Sequence, residues 1–200
     1  MTRLFGVIGY PIGHSLSPTM HTAAIRALGL DALYTSFEVP PRFLRPVLRA
    51  LILAGVEGLN VTVPLKEAVL PLMDRLDASA AAIGAVNTIV IRNRRSVGYN
   101  TDGAGCALAL GELGWRARRP TRAVLLGAGG AARAVAWALT AAGGELTIAN
   151  RHPARARRLA RWLSSWRPRV RIRAVPLGEV AVGDAEVLVN ATTVGMRPTD

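Results

Sequence analysis

The amino-acid sequence predicts an α/β fold in two parts: an N-terminal unit with a mixed, mainly parallel sheet, then a C-terminal unit built on a parallel sheet. Three observations predict it. Short apolar runs bounded by glycine and proline alternate with segments of helical spacing over residues 4–113. That periodicity lapses over residues 114–122 and then resumes. At residues 123–133 a strand-like run passes through Gly127-Ala128-Gly129-Gly130-Ala131 into a helix-like segment. The boundary falls near residue 102, giving units of 1–101 and 102–200.

Composition narrows the function classes. The chain has 200 residues, 50% of them hydrophobic, which is enough for a sizeable core in one large or two small domains. No apolar run is long enough to span a bilayer, and the N-terminus lacks a signal-peptide plan. The default location is therefore the cytoplasm, with no membrane partner. Cys106 is the single cysteine, which excludes an internal disulfide, and His14, His21 and His152 are too scattered for metal-ligand spacing. No metal is expected. A net charge of +12 raises the question of nucleic acid. The densest basic stretch, residues 151–173, is spaced as a helix and a strand and carries no binding motif or aromatic series. It reads as an arginine-rich solvated face, and no nucleic-acid partner is expected.

In the first unit a strand at residues 4–9 leads into a loop dense in turn formers. Ser17, before Pro18, reads as the N-cap of a helix reaching residue 28. Ser15 and Ser17 either shape that start or hydrogen-bond a carboxylate there. His14 reads as a loop residue and His21 as a helix-face residue. A strand over 33–39 and a helix over 42–54 follow, then a strand over 57–63. Asn60 and Thr62 lie two apart on that strand and share a face. Pro64 ends it, and Lys66 follows at the turn. Lys66 is the only lysine in the chain; every other cationic residue is arginine. A guanidinium stays protonated at any working pH, whereas a lysine can exchange its proton. Lys66 is thus either an ordinary surface cation or an acid/base group at a strand's carboxyl end, where open α/β sheets bind ligands. A helical stretch runs on to about residue 76, and a strand entered through Gly84 spans 83–91. Asn87 is polar inside that apolar run and needs a ligand or a backbone group as partner. A hairpin turn occupies 92–95 and its return 96–99. Asp102 opens a helix to residue 113, as a capping carboxylate or as the partner that orients Lys66.

The second unit opens on a dinucleotide fingerprint. Gly127 permits the tight turn, Gly129 and Gly130 let the backbone approach a pyrophosphate, and Ala132 takes the third small position. After a strand over 145–149, the acid that usually binds the ribose is absent and Asn150-Arg151 stands in its place. An arginine there suits a 2′-phosphate, which favours NADP over NAD, and Arg155 either adds charge one turn on or sits at the surface. Strands over 170–175 and 186–189 lead to Asn190-Ala-Thr-Thr-Val-Gly195-Met196.

Taken together, Ser15-Leu-Ser17, Asn60-Val-Thr62-Val-Pro-Leu-Lys66, Gly84-Ala-Val-Asn87-Thr, Asn100-Thr-Asp102-Gly, the Gly127 turn, Asn150-Arg151 and the 190–196 motif resemble the shikimate dehydrogenase family, in that family's order along essentially the whole chain. The resemblance implies an N-terminal substrate domain and a Rossmann-like NADP-binding domain. It implies that Ser15 and Ser17 hold a substrate carboxylate, that Asn60, Thr62, Asn87 and Asp102 hold ring hydroxyls, and that Lys66 with Asp102 forms the catalytic pair. Gly127, Ala128, Gly129, Gly130 and Ala131 would cradle the pyrophosphate. Asn150, Arg151 and Arg155 would take the 2′-phosphate, and Met196 would lie near the nicotinamide. The implied reaction is reversible reduction of 3-dehydroshikimate to shikimate, by a monomer or homodimer whose partner is that small molecule. Family members continue for several dozen residues, so the nucleotide-binding domain is expected to be incomplete at its C-terminal end. A quinate/shikimate dehydrogenase using NAD or NADP, and a non-catalytic dinucleotide-binding module, are the alternatives.

Overall fold

Strand and helix alternate through both parts of the chain, which a computed structural model describes over residues 2–115 and 121–195. Two units emerge, Met1–Thr101 and Asp102–Asp200. Both are α/β, as the alternation predicts.

The first unit runs β1 (Arg3–Gly9), α1 (Ser17–Ala27), β2 (Ala32–Glu38), α2 (Leu44–Leu53), β3 (Val56–Val61), α3 (Leu65–Ala68), β4 (Arg75–Leu76), α4 (Ala78–Ile83), β5 (Thr88–Arg92) and β6 (Arg95–Tyr99). Its six strands lie in the order β2-β1-β3-β5-β6-β4. β1 is parallel to β2 and β3, whereas β5 runs antiparallel to β3 and β6. Alternation along the strands divides the side chains between two faces. Ile8, Leu59, Val61 and Ile89 pack with Leu44 and Leu48 of α2 and with Leu65 and Val69, forming the core. On the other face the register sets Phe5 beside Tyr34 and Gly58, and Asn60 beside Thr88.

Local chemistry explains where this unit departs from expectation. The helix expected to reach residue 76 is only the four residues of α3, followed by a 3₁₀ turn at Leu70–Leu72. Pro71 supplies no N–H to continue it, and Arg75–Leu76 instead pairs with β6. The strand expected from residue 83 begins at Thr88, because Ile83 closes α4. Asp77 caps that helix by accepting the Ser79 N–H at 2.9 Å, and Gly84 ends it at φ 70°, in the left-handed region. Ser17 is the first helical residue rather than the cap, and the Ser15 hydroxyl accepts its N–H at 3.3 Å. β3 stops at Val61, ahead of a cis Val63–Pro64 bond. The hairpin turn falls where expected, with Asn93 at φ 51° and Arg94 at φ 60°. A two-residue type I′ turn, whose twist matches its strands, needs positive φ at both positions.

The second unit runs α5 (Asp102–Glu112), β7 (Thr121–Leu126), α6 (Gly130–Leu139), β8 (Gly144–Asn150), α7 (Pro153–Trp166), β9 (Arg171–Pro176) and β10 (Val187–Asn190). Its sheet is parallel, in the order β10-β7-β8-β9. Leu125, Leu146 and Ile148 pack against Ala132, Ala136 and Leu139 of α6 and Ala156, Leu159 and Leu163 of α7. Alanines on α6 let that helix lie close to the sheet. Arg155, Arg157, Arg158 and Arg161 occupy the exposed side of α7. Among the described residues, no helix is long and apolar enough to cross a membrane.

Candidate active site

Within the first unit the chain leaves β1 to one side, forms β2, and returns on the other side as β3. Loops that diverge in this way open a crevice at the carboxyl ends of the two strands. Backbone hydrogen bonds fix the segments around it. Tyr10 N–H donates to the Val63 carbonyl at 3.0 Å, joining the loop after β1 to the loop after β3. Leu65 N–H donates to Thr62 O at 2.9 Å, Val86 N–H to Lys66 O at 2.8 Å, and Val61 N–H to Asn87 O at 2.8 Å. Thr62 and Lys66 are thereby held in one connected frame with Asn87, which is distant in sequence. Leu65 has 0% of its surface exposed and anchors α3, so the backbone that carries Lys66 is built into the core.

Asn87 is 7% exposed. Its Nδ2 donates to Thr101 Oγ1 at 2.8 Å, and its Oδ1 accepts from Thr101 N at 3.0 Å and Thr88 Oγ1 at 3.0 Å. Buried Asn100 donates through Nδ2 to Ala85 O at 2.9 Å. Thr101, which the sequence does not single out, holds the Asn87 amide at both ends. It stands inside the Asn100-Thr-Asp102 motif, where a hydroxyl before a helix reads as ordinary capping chemistry.

Ser15 and Ser17 are half-buried where the loop enters α1. Asn60, also half-buried, lies on the sheet face away from the core, and its Oδ1 accepts the Tyr34 hydroxyl at 2.7 Å. Burial pushes the Tyr34 phenol up to about 12, with a side-chain contact from Ser17 pulling the other way. His21, expected simply on a helix face, stacks on Tyr34 with ring centroids 4.2 Å apart. Between α1 and this sheet face lies a cavity of about 510 Å³, whose lining includes Phe5, His21, Tyr34, Asn60 and Thr88.

In the second unit Asp102 is the first residue of α5, where the helix end favours a carboxylate. Burial first, and then the Asp102 charge, raise the Cys106 thiol above its ordinary value. The strand order reverses between β7 and β10, and the glycine turn sits at that reversal. Gly127 has φ +116°, and a Cβ there would meet the Ala191 carbonyl oxygen at 2.9 Å. Its N–H donates to Ala149 O at 2.8 Å, drawing the turn against the end of β8. Gly129 caps α6 with open space beside it, and Gly130 and Ala131 form the first helical turn, followed by buried Ala132. The first N–H groups of a helix have no intrahelical acceptor and favour anions. The Asn150 side chain accepts His152 N–H at 2.8 Å and shapes the entry to α7, leaving Arg151 and Arg155 exposed. A glycine cradle with room beside it and two exposed guanidinium groups past the next strand fit a dinucleotide phosphate. Met196 lies outside the described residues.

The model of the shikimate dehydrogenase substrate binding domain matches residues 7–89. The NADP(+)-dependent shikimate dehydrogenase of Methanopyrus kandleri is 47% identical over 204 residues, covering 100% of this chain and 70% of that protein. The chain belongs to the shikimate dehydrogenase family. Solved members of the family share its fold. A shikimate dehydrogenase crystallised with NADP+ superposes with a TM-score of 0.88 at 39% identity, over 98% of this chain and 69% of that one. The Thermus thermophilus enzyme, in complex with NADP(H) and shikimate, gives 0.81 at 42% identity, over 97% and 70%. In terms of the shikimate dehydrogenase family, the first unit contains the match to the substrate binding domain, and the second carries the parallel sheet and glycine turn.

Proposed function

We propose that this chain catalyses the reversible, NADP-dependent reduction of 3-dehydroshikimate to shikimate, a step of aromatic amino-acid biosynthesis. One observation carries the residue roles: the backbone bonds that tie the Thr62, Lys66 and Asn87 segments together at the carboxyl ends of β1 and β3. Ser15 and Ser17 bind the substrate carboxylate. Asn60, Thr62 and Asn87, which can donate and accept, and the Asp102 carboxylate, which accepts, bind ring hydroxyls. Gly127, Ala128, Gly129, Gly130 and Ala131 receive the pyrophosphate, while Asn150, Arg151 and Arg155 receive the 2′-phosphate, with Met196 beside the nicotinamide.

Bound NADPH supplies a hydride to the C3 carbonyl carbon. As the carbonyl oxygen takes on negative charge, the Lys66 ammonium donates a proton from Nζ to it, and the neutral amine then regains a proton from solvent. Asp102 holds the amine in place. In the reverse direction neutral Lys66 accepts the hydroxyl proton. Initial rates of cofactor reduction test the assignment, with shikimate or quinate as substrate and NADP+ or NAD+ as acceptor. The expected result is the highest kcat/KM for shikimate with NADP+. A clear preference for NAD+ contradicts the role of Arg151, and equal use of quinate supports the broader quinate/shikimate activity instead.

A further inference from the structure

Asn60 faces a choice that an amide always faces, because one end donates and the other accepts. Within this chain the choice is made by Tyr34, a strand residue in β2 that reaches across β1. The Tyr34 hydroxyl donates to Asn60 Oδ1 at 2.7 Å. The phenol carries its proton throughout the working pH range and remains a donor, and a short bond of this kind holds the amide's acceptor end. Among the described residues no protein group accepts from Asn60 Nδ2, so two N–H donors remain for a ligand. His21 lies one helical turn beyond Ser17 and stacks on the phenol ring at an interplanar angle of 16°. The ring is thus fixed from α1 while its hydroxyl is fixed on β3.

We propose that Tyr34 is a positioning residue for substrate recognition: by engaging Asn60 Oδ1 it makes Asn60 a donor toward the ligand. This rests on the substrate site proposed above. With its amide fixed, Asn60 meets a ligand oxygen through the oxygen's lone pairs. Without the phenol, the amide is free to rotate, and half of its orientations present an acceptor to the same oxygen. Ordering it again on binding weakens affinity without touching the hydride or proton transfer.

The experiment compares wild type, Tyr34→Phe, Asn60→Ala and the double variant, with folding checked by near-UV circular dichroism. The Phe variant keeps the ring for His21 and loses only the hydroxyl. Shikimate binding is measured by calorimetry and, beside it, KM and kcat. Tyr34→Phe is expected to raise the shikimate Kd and KM about 5- to 10-fold, the net worth of one hydrogen bond, with kcat and the NADP+ KM within about two-fold. In the Asn60→Ala background the same change is expected to add less than about two-fold, since the group it positions is gone. If wild type binds shikimate and the two single effects multiply in the double variant, or if Tyr34→Phe binds as wild type does, the assignment to Tyr34 is overturned and the substrate site stands. A wild-type chain that binds no shikimate overturns both.

Discussion

Asn87 keeps a polar side chain inside the first unit because Thr101 meets both ends of its amide. A buried amide that loses a partner bears the desolvation cost without return. Thr101→Val removes the hydroxyl and keeps the backbone N–H that donates to Oδ1, so it isolates one bond. The expected loss is about 1–3 kcal/mol of stability in chemical denaturation, together with weaker shikimate binding because Asn87 is no longer fixed. Unchanged stability and unchanged binding would show that Thr101 does not hold the amide. At this scale the sequence was partly legible. Lys66 stood out by composition and Asn87 by polarity in an apolar run, both chemical signals visible in one dimension. The contacts of Tyr34 and Thr101 were not legible. A tyrosine in a strand and a threonine before a helix have ordinary explanations, and what distinguishes them is a hydrogen bond to a residue 26 or 14 positions away.

α3 shows how a very short element can carry the side chain proposed as proton donor. Four residues are far too few for a helix to persist on propensity alone. Leu65 supplies the missing stability by burying its whole side chain in the core, while its N–H closes on Thr62 O. Leu65→Ala is therefore expected to cost about 2–5 kcal/mol, the range for truncating a buried leucine. It is also expected to lower kcat, because the backbone of Lys66 loses its anchor. Retained stability with retained kcat would mean that α3 is held by something other than this contact. Elements were legible where a backbone requirement is written as a residue type. The glycine turn at 127–130 and Asn93 in the hairpin turn are of that kind, since positive φ and close approach restrict the choice of residue. The 65–84 stretch was misread because its apolar residues suit helix and strand alike. Pro71, the Asp77 cap and left-handed Gly84 decide the matter there, each acting within a few residues.

At the scale of the whole molecule, two α/β units stand in series, and each has a strand order that reverses beside its strands' carboxyl ends. The fold class was legible because two periodicities alternate along the chain and one glycine turn occurs in its proper context. Strand order was not, since it depends on pairings between β1 and β3 or β7 and β10 that local pattern does not encode. An NADP-dependent dehydrogenase needs a cofactor cradle, which the second unit carries, and a proton donor, for which the first unit offers the Lys66 amine. The most direct measurement is the rate of shikimate-dependent NADPH formation by this chain and by its Lys66→Ala variant, with NADP+ binding measured on both. Turnover by wild type is expected, with a loss of about 10²–10⁴-fold in the variant, the usual contribution of a general acid/base, and NADP+ affinity that is nearly unchanged. Equal rates in the two proteins would contradict the role of Lys66 as the proton donor.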